Sequence, residues 1–199
     1  MRIGLIGAGV IGRTLAAAWI SAGHTVVVGS RDPSTGGGVD GATTATREDA
    51  IRGADVVVFA IPGDAMDATV AALARHLGGK VVIDATNQTP RGPQGGAMHA
   101  MAALSGVPGV AAFRAFNTLG WENFAEPVVG GQQADLFYCG PDGAPRAQVE
   151  QLVADVGLRP VRVGGPEAAD VVDGVTRLWF ALVFGQGRGR HLAFKLLEG

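Results

Sequence analysis

Residues 1–33 read MRIGLIGAGVIGRTLAAAWISAGHTVVVGSRDP, and the fold is decided there. Ile3, Leu5 and Ile6 make a short apolar strand. Gly7-Ala8-Gly9-Val10-Ile11-Gly12 follows as a G-x-G-x-x-G turn. Val10, Leu15, Ala18, Trp19 and Ala22 then recur at helical spacing until Gly23 stops the helix. In such a turn the first glycine permits a sharp exit from the strand. The second lets the backbone approach a pyrophosphate, and the third lets the helix pack on the strand. Free N–H groups at the helix start face the phosphate. Gly7, Gly9, Val10, Ile11 and Gly12 are therefore expected to hold a dinucleotide. In a chain with 32 glycines the motif alone is weak evidence. The strand before it and the β-branched Thr25-Val26-Val27-Val28 after it supply the required context.

The tip of that second strand reads Gly29-Ser30-Arg31-Asp32. An NAD site commonly places an acidic residue here, on the ribose 2′-hydroxyl. Gly29 and Ser30 occupy that slot instead. Arg31 offers a planar fork to a phosphate and Ser30 a hydroxyl, which favours NADP(H) over NAD(H). Asp32 works against this reading if it turns in toward a hydroxyl. The competing reading of Arg31 is a solvated loop charge. Ser34, Thr35 and Gly36–Gly38 add polar groups but no second cation.

The chain has 199 residues, 47% of them hydrophobic, and a formal net charge of −2. That suits one globular core and gives no basic block for nucleic acid. A single cysteine, Cys139, excludes an internal disulfide framework and fits a reducing compartment. The N-terminal apolar run breaks too early for a signal peptide, and no run approaches the roughly 18 apolar residues of a spanning helix. The expectation is a soluble, cytoplasmic protein with no membrane partner. Cationic work falls to arginine, since only Lys80 and Lys195 are lysines.

Residues 39–46 read as a small polar connector. Thr46-Arg47-Glu48-Asp49 resembles a helix start, with Thr46 as its cap. Further strands are expected over residues 54–61, 80–84, 110–116, 134–139 and 159–163, with helices between them. This alternation predicts an α/β protein, a Rossmann-type doubly wound and mostly parallel sheet. Residues 1–163 form the predicted NADP-binding domain. Residues 164–199 form a smaller C-terminal helical segment of one or two helices, packing on that domain or on a dimer partner. Residues 86–99 are rich in proline and glycine and follow a strand end. They read as a mobile loop over a substrate, or as a plain surface connection.

At this point the residues resemble a family. MRIGLIGAGVIG, VVVGSRDP, VVVFAIP, VVIDATN, FRAFNTLGWENFA and LWFALVFGQGRGRHLAFKLL together are similar to the F420-dependent NADP oxidoreductases. Broader kin are the dinucleotide-binding domains of STEAP-type ferric reductases and pyrroline-5-carboxylate reductases. The resemblance implies a Rossmann sheet with a helical C-terminal part, a homodimer, bound NADP(H), and coenzyme F420 as second cofactor. It implies Ser30 and Arg31 on the 2′-phosphate and Ile61-Pro62 beside the nicotinamide ribose. Asn87 and the segment from Phe116 to Leu119 would line the nicotinamide and the deazaflavin. Two positions depart from the pattern. Asn117 stands where the archaeal enzymes carry a histidine, and their second cation for the 2′-phosphate, a lysine, has no counterpart near Ser34 and Thr35.

Hydride transfer between nicotinamide and deazaflavin asks mainly for positioning and exclusion of water. Reduction of a small carbonyl, imine or enone asks in addition for a proton donor. His99 is the histidine best placed for that. His24, His76 and His191 read as strand-edge or helix-end residues, and Tyr138 as core. Asn117 and Thr118 are expected to hydrogen-bond a carboxamide or a substrate carbonyl, and Asp84 either orients Asn87 or caps the following turn. Arg91, Arg114, Arg188 and Arg190 are candidates for a cationic mouth that would take the anionic tail of F420; if they scatter, the small-substrate reading gains. No residues recur at metal-ligand spacing. A non-catalytic NADP(H)-binding sensor is the remaining alternative.

Overall fold

The apolar run ahead of the glycine turn becomes β1 (Arg2–Ile6), and the helical repeat after it becomes α1 (Val10–Ser21). We describe a computed structural model, which covers residues 1–35, 38–88 and 96–199. β2 (Thr25–Ser30), β3 (Thr43–Thr46), β4 (Val56–Phe59), β5 (Val81–Asp84) and β6 (Ala111–Arg114) follow in the chain. Between them lie α2 (Arg47–Arg52), α3 (Met66–Leu77) and α4 (Met101–Ser105). The chain then adds α5 (Glu122–Ala125), a small hairpin of β7 (Val128–Val129) and β8 (Gln132–Gln133), β9 (Asp135–Cys139), α6 (Ala144–Asp155) and β10 (Arg159–Gly164). It ends with α7 (Ala169–Phe180) and a π-helical turn at Ala181–Gly185.

Eight strands make one sheet in the order β10-β9-β6-β5-β4-β1-β2-β3. Every pairing from β3 to β6 is parallel. β9 joins β6 antiparallel through one residue pair, Arg114 with Cys139, and β10 runs parallel to β9. The six-strand part therefore has the doubly wound order, which opens a crevice at the carboxyl ends of β1 and β4. Strand alternation sorts the core onto two faces. Ile3, Leu5, Val26, Val28, Val56 and Val58 pack with Leu15 and Trp19 of α1 and Val149 and Leu152 of α6. Ile6, Val27, Val57, Phe59 and Val82 pack with Ile51 of α2, Leu73 of α3, Leu104 of α4 and Val172 of α7. The predicted α/β sheet is borne out.

One expectation is corrected. Residues 39–46 are not only a connector, because Thr43–Thr46 pairs with β2 as an edge strand. Its polar, β-branched threonines suit a half-exposed edge and give no apolar signal. The C-terminal stretch holds a single α-helix and the π turn, and residues 186–199 form no regular element. That tail is tied down at Leu192 by Trp179 and Asn123, and near its end by Asp135. The Asp135 amide donates to the Phe194 carbonyl at 3.1 Å, and the Leu196 amide donates to Asp135 Oδ2 at 2.6 Å. The Thr46 cap is present, its hydroxyl accepting from the Asp49 amide at 3.1 Å.

Candidate active site: a cleft at the strand ends

The glycine turn builds one wall. Gly7 has φ +111°, and a Cβ there would lie 2.4 Å from the Ala60 carbonyl oxygen. A Cβ on Gly12 would lie 2.1 Å from the Gly7 oxygen. Both glycines are needed to close α1 onto β1 and β4. Gly9 differs, since a Cβ there would meet nothing within 4 Å. Its backbone caps α1 without a side-chain hydrogen bond, so the helix-start amides are left for a guest. The space in front is a cleft of about 410 Å³ lined by Gly7, Gly9, Arg31, Arg47, Ile61 and Pro62 among others. Val10 is exposed at its rim and Ile11 half-buried. A pyrophosphate fits this cradle, and the opening at Gly9 has no use inside the fold.

Arg31 stands exposed beside this cleft, at the end of β2. Ser30 and Asp32 close a small turn. The Asp32 amide donates to Ser30 Oγ at 3.1 Å, while the Ser34 amide and hydroxyl donate to Asp32 Oδ1 at 3.0 and 2.5 Å. Asp32 therefore caps its own turn. A second cation, Arg47, lines the same cleft. Sequence reading placed Arg47 only in a helix start, because β3 went unseen.

A second group of candidates, at the ends of β5 and β6, is organised by Arg114, which is 0% exposed. Its Nε and Nη2 donate to Asp173 Oδ1 at 3.1 and 2.8 Å, and its Nη2 donates to Asn87 Oδ1 at 2.9 Å. Nη1 donates to the Thr86 carbonyl and lies 3.4 Å from Asp84 Oδ2. Asp84 also caps the turn after β5, accepting from the Thr86 amide and hydroxyl and from the Ala100 amide. Arg114, not Asp84, orients Asn87. Two amide side chains are thereby fixed. A guanidinium only donates, so Asn87 must accept through Oδ1, and its NH₂ is left over. Asn117 must donate its NH₂ to the Thr86 carbonyl, at 2.8 Å, and its Oδ1 is left over. That oxygen is buried without a partner, and so is the Thr118 hydroxyl. One spare donor and one spare acceptor match a primary carboxamide such as nicotinamide's. An orphaned buried acceptor costs about 1–3 kcal/mol unless something answers it.

The remaining candidates are dispersed. Phe116 is 1% exposed, with φ +66°, and stacks edge-on against Trp19 and Phe124 at 5.7 and 5.9 Å. It turns the chain that carries Asn117 and is itself core. His99 accepts from the Met101 amide at 3.3 Å and faces Asp170 at 3.5 Å, on α4 and α7. The oxygens of Asp170 and Asp173 and the His99 ring lie within 4.8 Å of one another, but Arg114 and the Met98 amide already occupy both Asp173 oxygens. Tyr138 is buried and bonded to Glu150. Burial first, then that carboxylate, push its phenol well above the ordinary range, so it holds its proton. Burial pushes the Cys139 thiol up to about 11, which leaves it inert. The proposed cationic mouth is corrected. Arg114 is interior, and Arg190 is bonded to Glu122 at 2.5 Å over the Trp179 ring. Arg188 is exposed on the tail, and Arg91 lies in 89–95, outside the described residues.

This geometry can be set beside known proteins. Residues 2–88 match the family described as NADP oxidoreductase, coenzyme F420-dependent. The recognition made from the sequence is borne out there. A structure from Arthrobacter sp. FB24, a candidate F420-dependent NADP reductase, is similar over 100% of both chains, at TM-score 0.85 and 25% identity. A hypothetical protein of Sinorhizobium meliloti is 29% identical, at TM-score 0.70, over 85% of this chain and 87% of its own. The metalloreductase STEAP3 of Rattus norvegicus is 27% identical over 87% of this chain. This chain spans only 36% of that relative's length. A reductive aminase of Aspergillus terreus, solved with NADPH4, shares the fold at 20% identity and TM-score 0.63 over 92% of this chain and 62% of its own. The matched family and the Arthrobacter structure are described as NADP-dependent oxidoreductase and reductase, and NADP(H) is the cofactor they imply. Among the described residues no helix is long and apolar enough to cross a membrane.

Proposed function

We propose that this NADP-dependent oxidoreductase passes a hydride between NADP(H) and coenzyme F420. The reading is carried by the reaction end of the cleft, which is built to orient and not to titrate. Asn87, Asn117 and Thr118 do not ionise, and the carboxylates nearest them, Asp84 and Asp173, are both engaged with Arg114. When bound, NADPH supplies the hydride. The chain's part is to grip the pyrophosphate at Gly7, Gly9 and Gly12 and to fix the carboxamide between Asn87 and Asn117. Ile61 and Pro62 border the ribose, and Ser30 and Arg31 meet the 2′-phosphate. Such positioning suffices for transfer to a deazaflavin, whose ring proton solvent can settle. The test is a spectrophotometric assay with NADPH and oxidised F420. Bleaching of the deazaflavin, much slower with NADH, supports the reading. A protein that binds NADPH and leaves F420 oxidised removes it.

One observation favours a second reading, reduction of a small carbonyl, imine or enone. The dispersal of Arg114 and Arg190 leaves the F420 tail without two of its expected cations, and the buried Thr118 hydroxyl is a free donor for a small oxygen or nitrogen. Here His99 would have to leave Asp170 to serve as acid. A non-catalytic sensor is the weakest alternative, since an oriented carboxamide site serves no purpose without transfer. We also place the protein in the cytoplasm as a homodimer. Val171, Leu178 and Phe184, 57%, 51% and 63% exposed, form the apolar surface a second copy would cover.

A further inference from the structure

We propose that Arg47 is the second cation of the adenosine 2′-phosphate site and, with Arg31, sets the preference for NADPH over NADH. The inference rests on NADP(H) as the nucleotide and adds a residue to that site. β2 and β3 are parallel neighbours with Ser30 opposite Thr46. The next residues are Arg31 and Arg47, so both guanidiniums spring from adjacent strand ends at the carboxyl edge of the sheet. Gly29 makes this approach possible, because a Cβ there would lie 3.0 Å from Arg47 Cα and 2.6 Å from Ile6 Cδ1. The same absence of a side chain that removes an acidic residue from β2 therefore lets Arg47 in.

Nothing in the fold itself accounts for Arg47. Among the described residues neither it nor Arg31 is in an ion pair with a carboxylate. Its Nε is buried with no hydrogen-bond partner. It sits in the first turn of α2, where a cation opposes the helix dipole. Burial, and then the neighbouring charge of Arg31, lower its pKa. Two guanidiniums that line one cleft and repel each other are relieved by a dianion between them, and a phosphate monoester accepts from both forks. NADH offers a neutral hydroxyl at that place.

The test compares dissociation constants of NADPH and NADH for the wild-type protein, Arg47→Gln and Arg47→Lys, with circular dichroism confirming folded protein. Losing one charge-assisted contact should weaken NADPH roughly ten- to a hundredfold, leave NADH within about twofold, and be partly restored by Lys. A selective wild type whose selectivity survives Arg47→Gln overturns the role of Arg47 alone. So does equal weakening of both nucleotides, which would put Arg47 on the pyrophosphate. A wild type that binds NADH as tightly as NADPH overturns the cofactor reading beneath it. Should Arg47→Gln fail to fold, Arg47→Lys decides on its own. Its point charge lacks the fork and should lower the NADPH-to-NADH preference, and an unchanged preference overturns the inference.

Discussion

An alanine at position 9 would touch no protein atom, and Gly9 has an ordinary extended φ of −70°. Gly9→Ala should therefore shift the unfolding free energy by less than about 1 kcal/mol. It should weaken NADPH by roughly tenfold or more, because the methyl group enters the pyrophosphate space. Thermal melts beside nucleotide titrations check this, and an unaffected affinity would mean that the phosphates lie elsewhere. Asn117 makes the complementary case at the reaction end. Asn117→Ala removes the spare acceptor and should lower kcat more than it raises the dissociation constant of NADPH, whose adenosine half is held far from it. The rate should fall roughly tenfold or more, the scale of one hydrogen bond to a correctly placed group. Steady-state kinetics and direct binding together separate the two effects.

At the level of elements, the strands were legible where they are buried on both faces. β1, β4 and β5 are continuous apolar runs with breakers at their ends, a pattern that needs no partner to be recognised. β3 was not legible, since an edge strand of threonines has no apolar period, and with it went Arg47. Arg114 was misread for a related reason. It ends a strand in a place suited to a ligand, but its partner Asp173 is 59 residues away on α7, and local pattern cannot carry that distance. The glycine turn was visible because its spacing is itself the signal, Ser30-Arg31 because their side chains stand at the tip of β2, and Asn117 only through its place at a strand end and the family resemblance. The orientation of the two amides required the hydrogen-bond inventory. Arg114 ties β5, β6, α7 and the return of the chain at Met98 together. Arg114→Met should destabilise by about 3–5 kcal/mol, as two buried carboxylates lose their counter-charge. Arg114→Lys should recover little of it, having no fork to span these acceptors. Urea unfolding of the two variants is the measurement.

For the whole molecule, the end of the tail at Lys195 and Leu196 is held at one buried carboxylate, while Trp179 and Asn123 hold the tail further back through the Leu192 carbonyl. Burial alone would raise the Asp135 pKa. Arg159, the Leu196 amide and Lys195 outweigh it and hold the carboxyl below its ordinary value. A depressed carboxylate contributes its stability fully above the unfolded pKa of about 4 and loses it as pH falls through the lower folded value. Acid should therefore release the end of the tail at Lys195 and Leu196, and Asp135→Asn should release it at neutral pH. Faster hydrogen exchange at the Leu196 amide would report either event, and unchanged protection in the variant would show that the tail is held by packing. The sheet also has an inherent fracture line. Six parallel strands and the β9–β10 pair meet through the single pairing of Arg114 with Cys139, and the same Arg114 orients Asn87. Strain applied across the molecule should open first at that seam, and because Arg114 on its edge also holds Asn87, the loop after β5 would loosen with it. A force probe pulling β10 away from β2 should find the first rupture between β6 and β9, before the parallel strands part.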